Sequence, residues 1–261
     1  MTQPVRIYER GILNGTTEEP KQNFYEVSAT QNYEIGSRLV LPDGRAYRYA
    51  KAGATALAAG ELQSSAAFGG SVATVQADLT PAAAAIGDTI VSFTTVTDAV
   101  TLNQFRGGYL AVSAGGASIG QGELYKIAGN AAGAAGAIKF TLERPLTKAW
   151  TTSSRISIMA EPYTLVVQSP ATTAIGMPVG VPTVAVPINN YCWLQTWGMA
   201  CCLVKVAMNT FAASIQSDLT AAGSVGITVA GAGSLINATI GMTGLATATT
   251  DSGLVYLTIA P

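Results

Sequence analysis

The chain has 261 residues, 49% of them hydrophobic and only 11% charged, with 28 glycines and a formal net charge of −1. That apolar content excludes a disordered polymer, and the length allows one large or two ordinary domains. Charge is far below the usual share of about a quarter, so the surface suits a component covered by partner subunits better than a free monomer. There is no histidine, and Cys192, Cys201 and Cys202 form no C-x-x-C pair. A four-ligand zinc site cannot be assembled from such a chain, and nothing else implies a cofactor. Without clustered Lys and Arg there is no field for phosphate backbones, so nucleic acid is set aside as a partner.

Residues 1–30 mix charges with Asn14-Gly15 and Pro20 and show neither a helical stripe nor sustained alternation. They read as an extended arm that gains order from whatever it lies on, and Met1 to Arg10 lacks an apolar signal stretch. Ser37 to Ala50 reads as two short strands, Arg38 to Leu41 and Arg45 to Tyr49, around the turn Pro42-Asp43-Gly44, whose residues suit a tight reversal. Arg45, Tyr47 and Tyr49 share one face of the second strand and Arg48 takes the other. Lys51 to Gly70 is an Ala- and Gly-rich linker, so residues 1–70 form an arm with a hairpin and a linker. Residues 71–169 hold strand-like runs at Thr89–Val96, Gly108–Val112, Glu123–Ile127, Ala137–Leu142, Arg155–Met159 and Tyr163–Gln168 with Gly-rich connections, the spacing of a sandwich or barrel. Residues 170–261 read as a second β domain, with candidate strands at Tyr191–Trp197, Met199–Ala207, Ser224–Ala230, Ser234–Ile240 and Gly253–Ala260. The last alternates in a way that predicts burial on both faces. The expected fold is therefore mainly β: an extended N-terminal arm followed by two β-sandwich or barrel-like domains with little helix.

Charge is distributed unevenly. Residues 1–51 carry seven basic and six acidic side chains, whereas from Pro162 to Pro261 only Lys205, Asp218 and Asp251 are charged. The two ends therefore face different surroundings. The uncharged run Leu219 to Thr250 exceeds the ~20 residues that a membrane helix needs, but its six glycines, Asn237 and many Ser and Thr are too polar for lipid, and no membrane partner is expected.

Few patterns carry chemistry. Gly116-Ala117-Ser118-Ile119-Gly120 matches the nucleophile elbow G-x-S-x-G, but that motif needs a histidine to take the serine proton, so a turn is the better reading. Glu123, Glu143 and Glu161 are the acids from which a carboxylate pair would have to be assembled; no phosphate-binding glycine loop occurs. No catalytic, cofactor-binding or metal-binding residue is assigned, and the chain is expected not to be an enzyme. Two aromatic features remain. Tyr191, Trp193, Gln195 and Trp197 fall on one strand face, as a sugar platform or, as such rows more often are, as core or subunit interface. Arg45, Tyr47, Arg48 and Tyr49 form either a solvated hairpin or a protein contact beside the charged arm.

Several segments resemble those of the Ala- and Gly-rich decoration (cement) proteins on the capsids of tailed bacteriophages. These are LPDGRAYRYAKAG from Leu41 to Gly53, ALAAGEL from Ala56 to Leu62, GGYL from Gly107 to Leu110, GQGELYKI from Gly120 to Ile127 and YCWLQTWG from Tyr191 to Gly198. Cys201-Cys202 departs from the small or β-branched residues expected there. The resemblance implies a β-rich structural protein on the outer capsid surface of the virion, made in the host cytoplasm. It would bind the major capsid protein of the head, reinforce the lattice and self-associate, often as a homotrimer. The expected capsid contacts are Arg6, Tyr8, Arg10, Arg45, Tyr47, Arg48 and Tyr49; Tyr191, Trp193 and Trp197 are expected at a subunit interface or in the core. Rival readings are another virion component, such as the major capsid, tail tube or baseplate protein, and a carbohydrate-binding adhesin.

Overall fold

The computed structural model describes residues 12–13, 21–66, 75–96, 99–116, 119–134, 136–171, 176–204, 214–217, 221–227, 239–245 and 252–261. The fold is almost entirely β, as expected, with two curled antiparallel sheets forming half-barrels. Along the chain, β1 (Ile12–Leu13), β2 (Arg38–Val40), β3 (Ala46–Lys51) and β4 (Gln63–Ser64) precede β5 (Val75–Leu79), β6 (Ile90–Val96), β7 (Tyr109–Ala114), β8 (Leu124–Asn130), β9 (Gly136–Leu142) and β10 (Arg155–Met159). The last group is β11 (Val167–Gln168), β12 (Pro178–Pro182), β13 (Tyr191–Leu203), β14 (Ser214–Ser217), β15 (Val225–Ile227), β16 (Gly241–Leu245) and β17 (Ser252–Thr258).

The chain divides into two compact units, one formed by residues 67–162 and the other by residues 1–66 together with 163–261. The sequence pattern instead separated 1–70 from 170–261 and ran the middle domain to 169. The physical reason for the difference is a non-local ladder: β3 pairs antiparallel with β13, Tyr49 opposite Trp193 and Ala50 opposite Cys192. Local periodicity carries no trace of which distant strand a strand pairs with.

In the unit of residues 67–162 the strand order is β5-β10-β7-β8-β9-β6. The chain after β5 folds onto β6, with the Ala82 N–H donating to the Ser92 carbonyl at 2.8 Å, which brings the two outer strands of the curl together. Inward residues alternate with outward ones, most plainly along β9, the period that places one strand face in a core. That core holds Phe93, Phe105, Tyr125, Ile127, Phe140, Trp150, Ile156 and Ile158. A buried asparagine ties a loop to it: Asn130 Oδ1 accepts the Phe105 N–H at 2.8 Å, and its Nδ2 donates to the Thr101 carbonyl at 2.8 Å. Gly108 is required by a close approach, because a Cβ there would lie 2.3 Å from the Met159 carbonyl oxygen.

In the other unit the strand order is β1-β2-β3-β13-β17-β16-β14-β15, with β12 also on β13 and β4 joining β11 and β12. β13 is one thirteen-residue strand, where the sequence predicted two strands broken at Gly198. Gly198 does not end the strand. It adopts φ +87, and a Cβ on it would press to 3.0 Å from Cγ of Arg45; the register of β13 on β3 shifts between Gln195 and Trp197. The strand therefore carries a bulge, the usual outcome when an extra residue is accommodated without losing the ladder.

Candidate functional site

The hairpin of β2 and β3 and the strand β13 hold most of the residues singled out from the sequence. Tyr47 and Tyr49 are wholly buried, and Trp193 is 1% exposed. Together with Phe24, Leu39 and Leu41 they form one core cluster, flanked by Tyr33, Ile35 and Tyr191. Tyr47 and Tyr49 are thus core rather than surface contacts, and the proposed row of Tyr191, Trp193, Gln195 and Trp197 offers no open platform, since Trp193 and Gln195 are buried. What closes this face is the chain's own segment of residues 21–33, which the sequence assigned largely to a free arm. Its anchor is Gln22, 2% exposed. Gln22 Oε1 accepts from the Tyr49 hydroxyl at 2.8 Å and from Asn32 Nδ2 at 3.0 Å; Nε2 donates to the carbonyls of Glu26 and Tyr191; and the Gln22 carbonyl accepts from Trp193 Nε1 at 2.8 Å. Every polar atom of that side chain is engaged, the condition under which a buried amide specifies rather than destabilises a core. Burial pushes the Tyr49 hydroxyl up to about 12 against the hydrogen bond it accepts from the Asn32 N–H.

Beyond the bulge the strand changes character. Ala200 and Cys202 point into a core with Val181, Val255 and Leu257, whereas Met199 is 47% exposed and Cys201 is exposed. Register puts Met199 opposite Tyr256 of β17, and Tyr256 in turn opposite Met242 of β16, while Cys201 faces Leu254. Met242 and Leu254 are each 49% exposed and Tyr256 38%. A row of apolar side chains thus crosses three strands on the outside of the sheet. The sequence predicted that β17 is buried on both faces; in fact Val255 and Leu257 are buried and Leu254 and Tyr256 are not.

At one end of the row lies a bay of about 440 Å³ lined by Asp43, Gly44, Arg45, Trp197, Gly198, Met199 and Tyr256. Trp197, partly buried, meets Tyr256 edge-on with ring centroids 6.0 Å apart. Arg45 pairs with Asp43 at 2.5 Å, donates to the Tyr47 hydroxyl at 3.1 Å and lies 5.5 Å from the Phe24 ring centre. Burial alone would raise the Asp43 carboxyl, but the Arg45 N–H and guanidinium outweigh it and hold the group below its ordinary value. Arg48 is half-buried and donates to the Gly36 carbonyl at 3.1 Å, which ties it to the hairpin's own support. Arg6, Tyr8 and Arg10 lie outside the described residues.

The acids singled out as candidates for chemistry, Glu123, Glu143 and Glu161, have partners of their own. Ser118 lies outside the described residues; beside it the Gly116 carbonyl accepts the N–H groups of Ile119 and Gln121. Glu123 accepts the hydroxyls of Thr147 and Tyr125, which lower its carboxyl, and Glu143 lies 3.6 Å from Lys126. Among the described residues no three metal-ligating side chains cluster, and no helix is long and apolar enough to cross a membrane. Cys192 and Cys202 are buried thiols whose ionisation burial opposes, Cys192 rising to about 12. Sequence reasoning missed the Met199, Met242, Leu254 and Tyr256 row. Its one available signal was the alternation in β17, which needed a partner strand to say which face lay open. Comparison with known proteins returns no matching family model, no matching curated protein and no matching solved structure.

Proposed function

We propose that the chain is a structural, non-enzymatic virion protein that binds the outer surface of a tailed-phage head lattice, reinforces it and associates with copies of itself, as a trimer. The observation that carries this reading is the uncharged apolar row on a firmly hydrogen-bonded sheet. Exposed rows of this kind are costly in a free monomer and common where a protein is built to be covered. The low charge of the last hundred residues and the resemblance of the segments around Leu41–Gly53 and Tyr191–Gly198 support the same reading. Lattice contact then falls to the charged arm at Arg6, Tyr8 and Arg10, while Tyr47 holds Arg45 at the hairpin tip through its hydroxyl. The test is co-sedimentation of purified protein with heads assembled without it. Saturable binding that weakens with salt is the expected result, since contacts through exposed charge are screened; protein left in the supernatant at every salt concentration contradicts the lattice role.

A carbohydrate-binding reading keeps one observation in its favour, the Trp197 and Tyr256 rings beside Asp43 and Arg45 in an open bay. Glycan-array binding lost in Trp197→Ala would favour it over the capsid role.

A further inference from the structure

We infer that the row formed by Met199 on β13, Leu254 and Tyr256 on β17 and Met242 on β16 is the face on which a second copy of this chain packs, the rows of neighbouring copies meeting around a rotation axis. This names the surface for the self-association in the reading above and rests on that part of it alone.

Size is the first argument. Four large side chains exposed by 38–49% together show on the order of 300 Å² of apolar surface, the size of the largest patch on an ordinary monomer and over a third of one partner's share of a standard interface. With Trp197, Ser252 and the hairpin tip as its margin, the face has the anatomy of such an interface, an apolar centre within a polar rim. Composition is the second argument. The centre is Met, Tyr and Leu with no charged side chain in register among the described residues, so its partner must be equally apolar. Methionine adapts its shape to the surface opposite it, which lets a row pack against its own copy. The third argument is charge at the rim. Asp43 and Arg45 stand side by side at one edge of the bay. Copies related by rotation present each other with the same pair, so an acid can meet a base across the axis without net repulsion.

The other half of the same strand shows what an uncovered surface of this sheet needs. There, residues 21–33 cover Trp193 and Tyr49; the row beyond the bulge has no such cover from the described residues.

The chain supplies its own reporter. Cys201 is exposed in the row, opposite Leu254, while Cys192 and Cys202 are buried and resist ionisation, and only a thiolate reacts readily. The experiment is sedimentation velocity together with maleimide labelling of the purified full chain, without heads, for the wild type, Tyr256→Glu and Met242→Lys. The wild type should sediment as an oligomer and label at Cys201 at least about tenfold more slowly than either variant, and both variants should sediment as folded monomers by circular dichroism. A wild type that is monomeric at micromolar concentration overturns the inference. So does an oligomer whose Cys201 labels as fast as in the variants, or variants that remain oligomeric, because another face then holds the copies. Should both variants misfold, the wild-type labelling rate against that of urea-dissociated, refolded dilute protein decides alone: equal rates overturn the inference, slower labelling in the oligomer supports it. Failure here leaves head binding untouched, and failure to bind heads leaves this face untouched.

Discussion

The two halves of β13 differ in what covers them. From Cys192 to Thr196 every residue is buried, with the Trp193 side closed by residues 21–33 and the Leu194 side closed by Ala50, Val166, Val179 and Val186. From Met199 onward buried and exposed residues alternate, Ala200 and Cys202 inward and Met199 and Cys201 outward. Both halves are largely apolar, and both are held by strand partners, the first by β3 and β12 and the second by β17. The difference lies in whether another described segment of the chain returns to lie on the strand. Hydrophobicity alone thus predicts that a face is covered without telling by what, and the half-covered strand marks where cover by the described residues stops.

The largest effect should come from removing the cover. Deleting residues 1–33 strips Phe24 and Gln22 from the aromatic cluster and exposes Trp193 and Tyr49, so the unit containing β13 should lose its cooperative unfolding transition. A truncated protein that melts like the full chain would mean that the segment is a free arm after all. Trp193→Ala should cost about 3–5 kcal/mol, the range for large aromatic truncations in a packed core, measured as a shift of the urea midpoint. Gln22→Ala should cost about 1–3 kcal/mol, because it leaves the Tyr49 hydroxyl and the Asn32 amide without their buried acceptor.

A smaller effect follows from ionisation in the covered half. The ordinary values of Tyr49 and Cys192 are 10.0 and 9.0, and burial raises both to about 12. A group whose value is raised in the folded state stabilises it fully below its unfolded value, and that contribution is lost as pH rises through the folded one. Stability should therefore hold at neutral pH and decline between about pH 9 and pH 12. Tyr49→Phe should make the fall of the melting temperature shallower in that window, at the cost of a lower plateau at neutral pH from the lost hydrogen bonds.

Much of the fold was legible in the sequence because strands announce themselves locally. The alternation at Ala137–Leu142 and Arg155–Met159 and the turn at Pro42-Asp43-Gly44 all appear in the structure. What could not be read is what depends on distant partners. Arg45, Tyr47 and Tyr49 look like an exposed polar-aromatic face until β13 and residues 21–33 close over the two tyrosines; only the turn residue Arg45 keeps a place at the surface. Gln22 looks like one polar residue of a charged arm, and its role exists only because Tyr49, Asn32 and Trp193 converge on it. Gly198 reads as a break, since a lone glycine signals either a turn or a bulge, and the neighbour that decides between them is Arg45. For the site, Trp197 was singled out from the sequence, but Met199, Met242, Leu254 and Tyr256 become a row only through the register of three strands.

The central claim is that the first half of β13 is completed within the chain and the second half by another copy. It is tested most directly by the denaturation midpoint as a function of protein concentration, for the wild type, Trp193→Ala and the double variant Met199→Ser with Tyr256→Ser. Association with a second copy stabilises the folded state by mass action, so the wild-type midpoint should climb with concentration. Trp193→Ala should climb in parallel from a lower start. The double variant should stay flat, at the value the wild type reaches on dilution. A wild-type midpoint independent of concentration, or a double variant that climbs as the wild type does, would contradict the account.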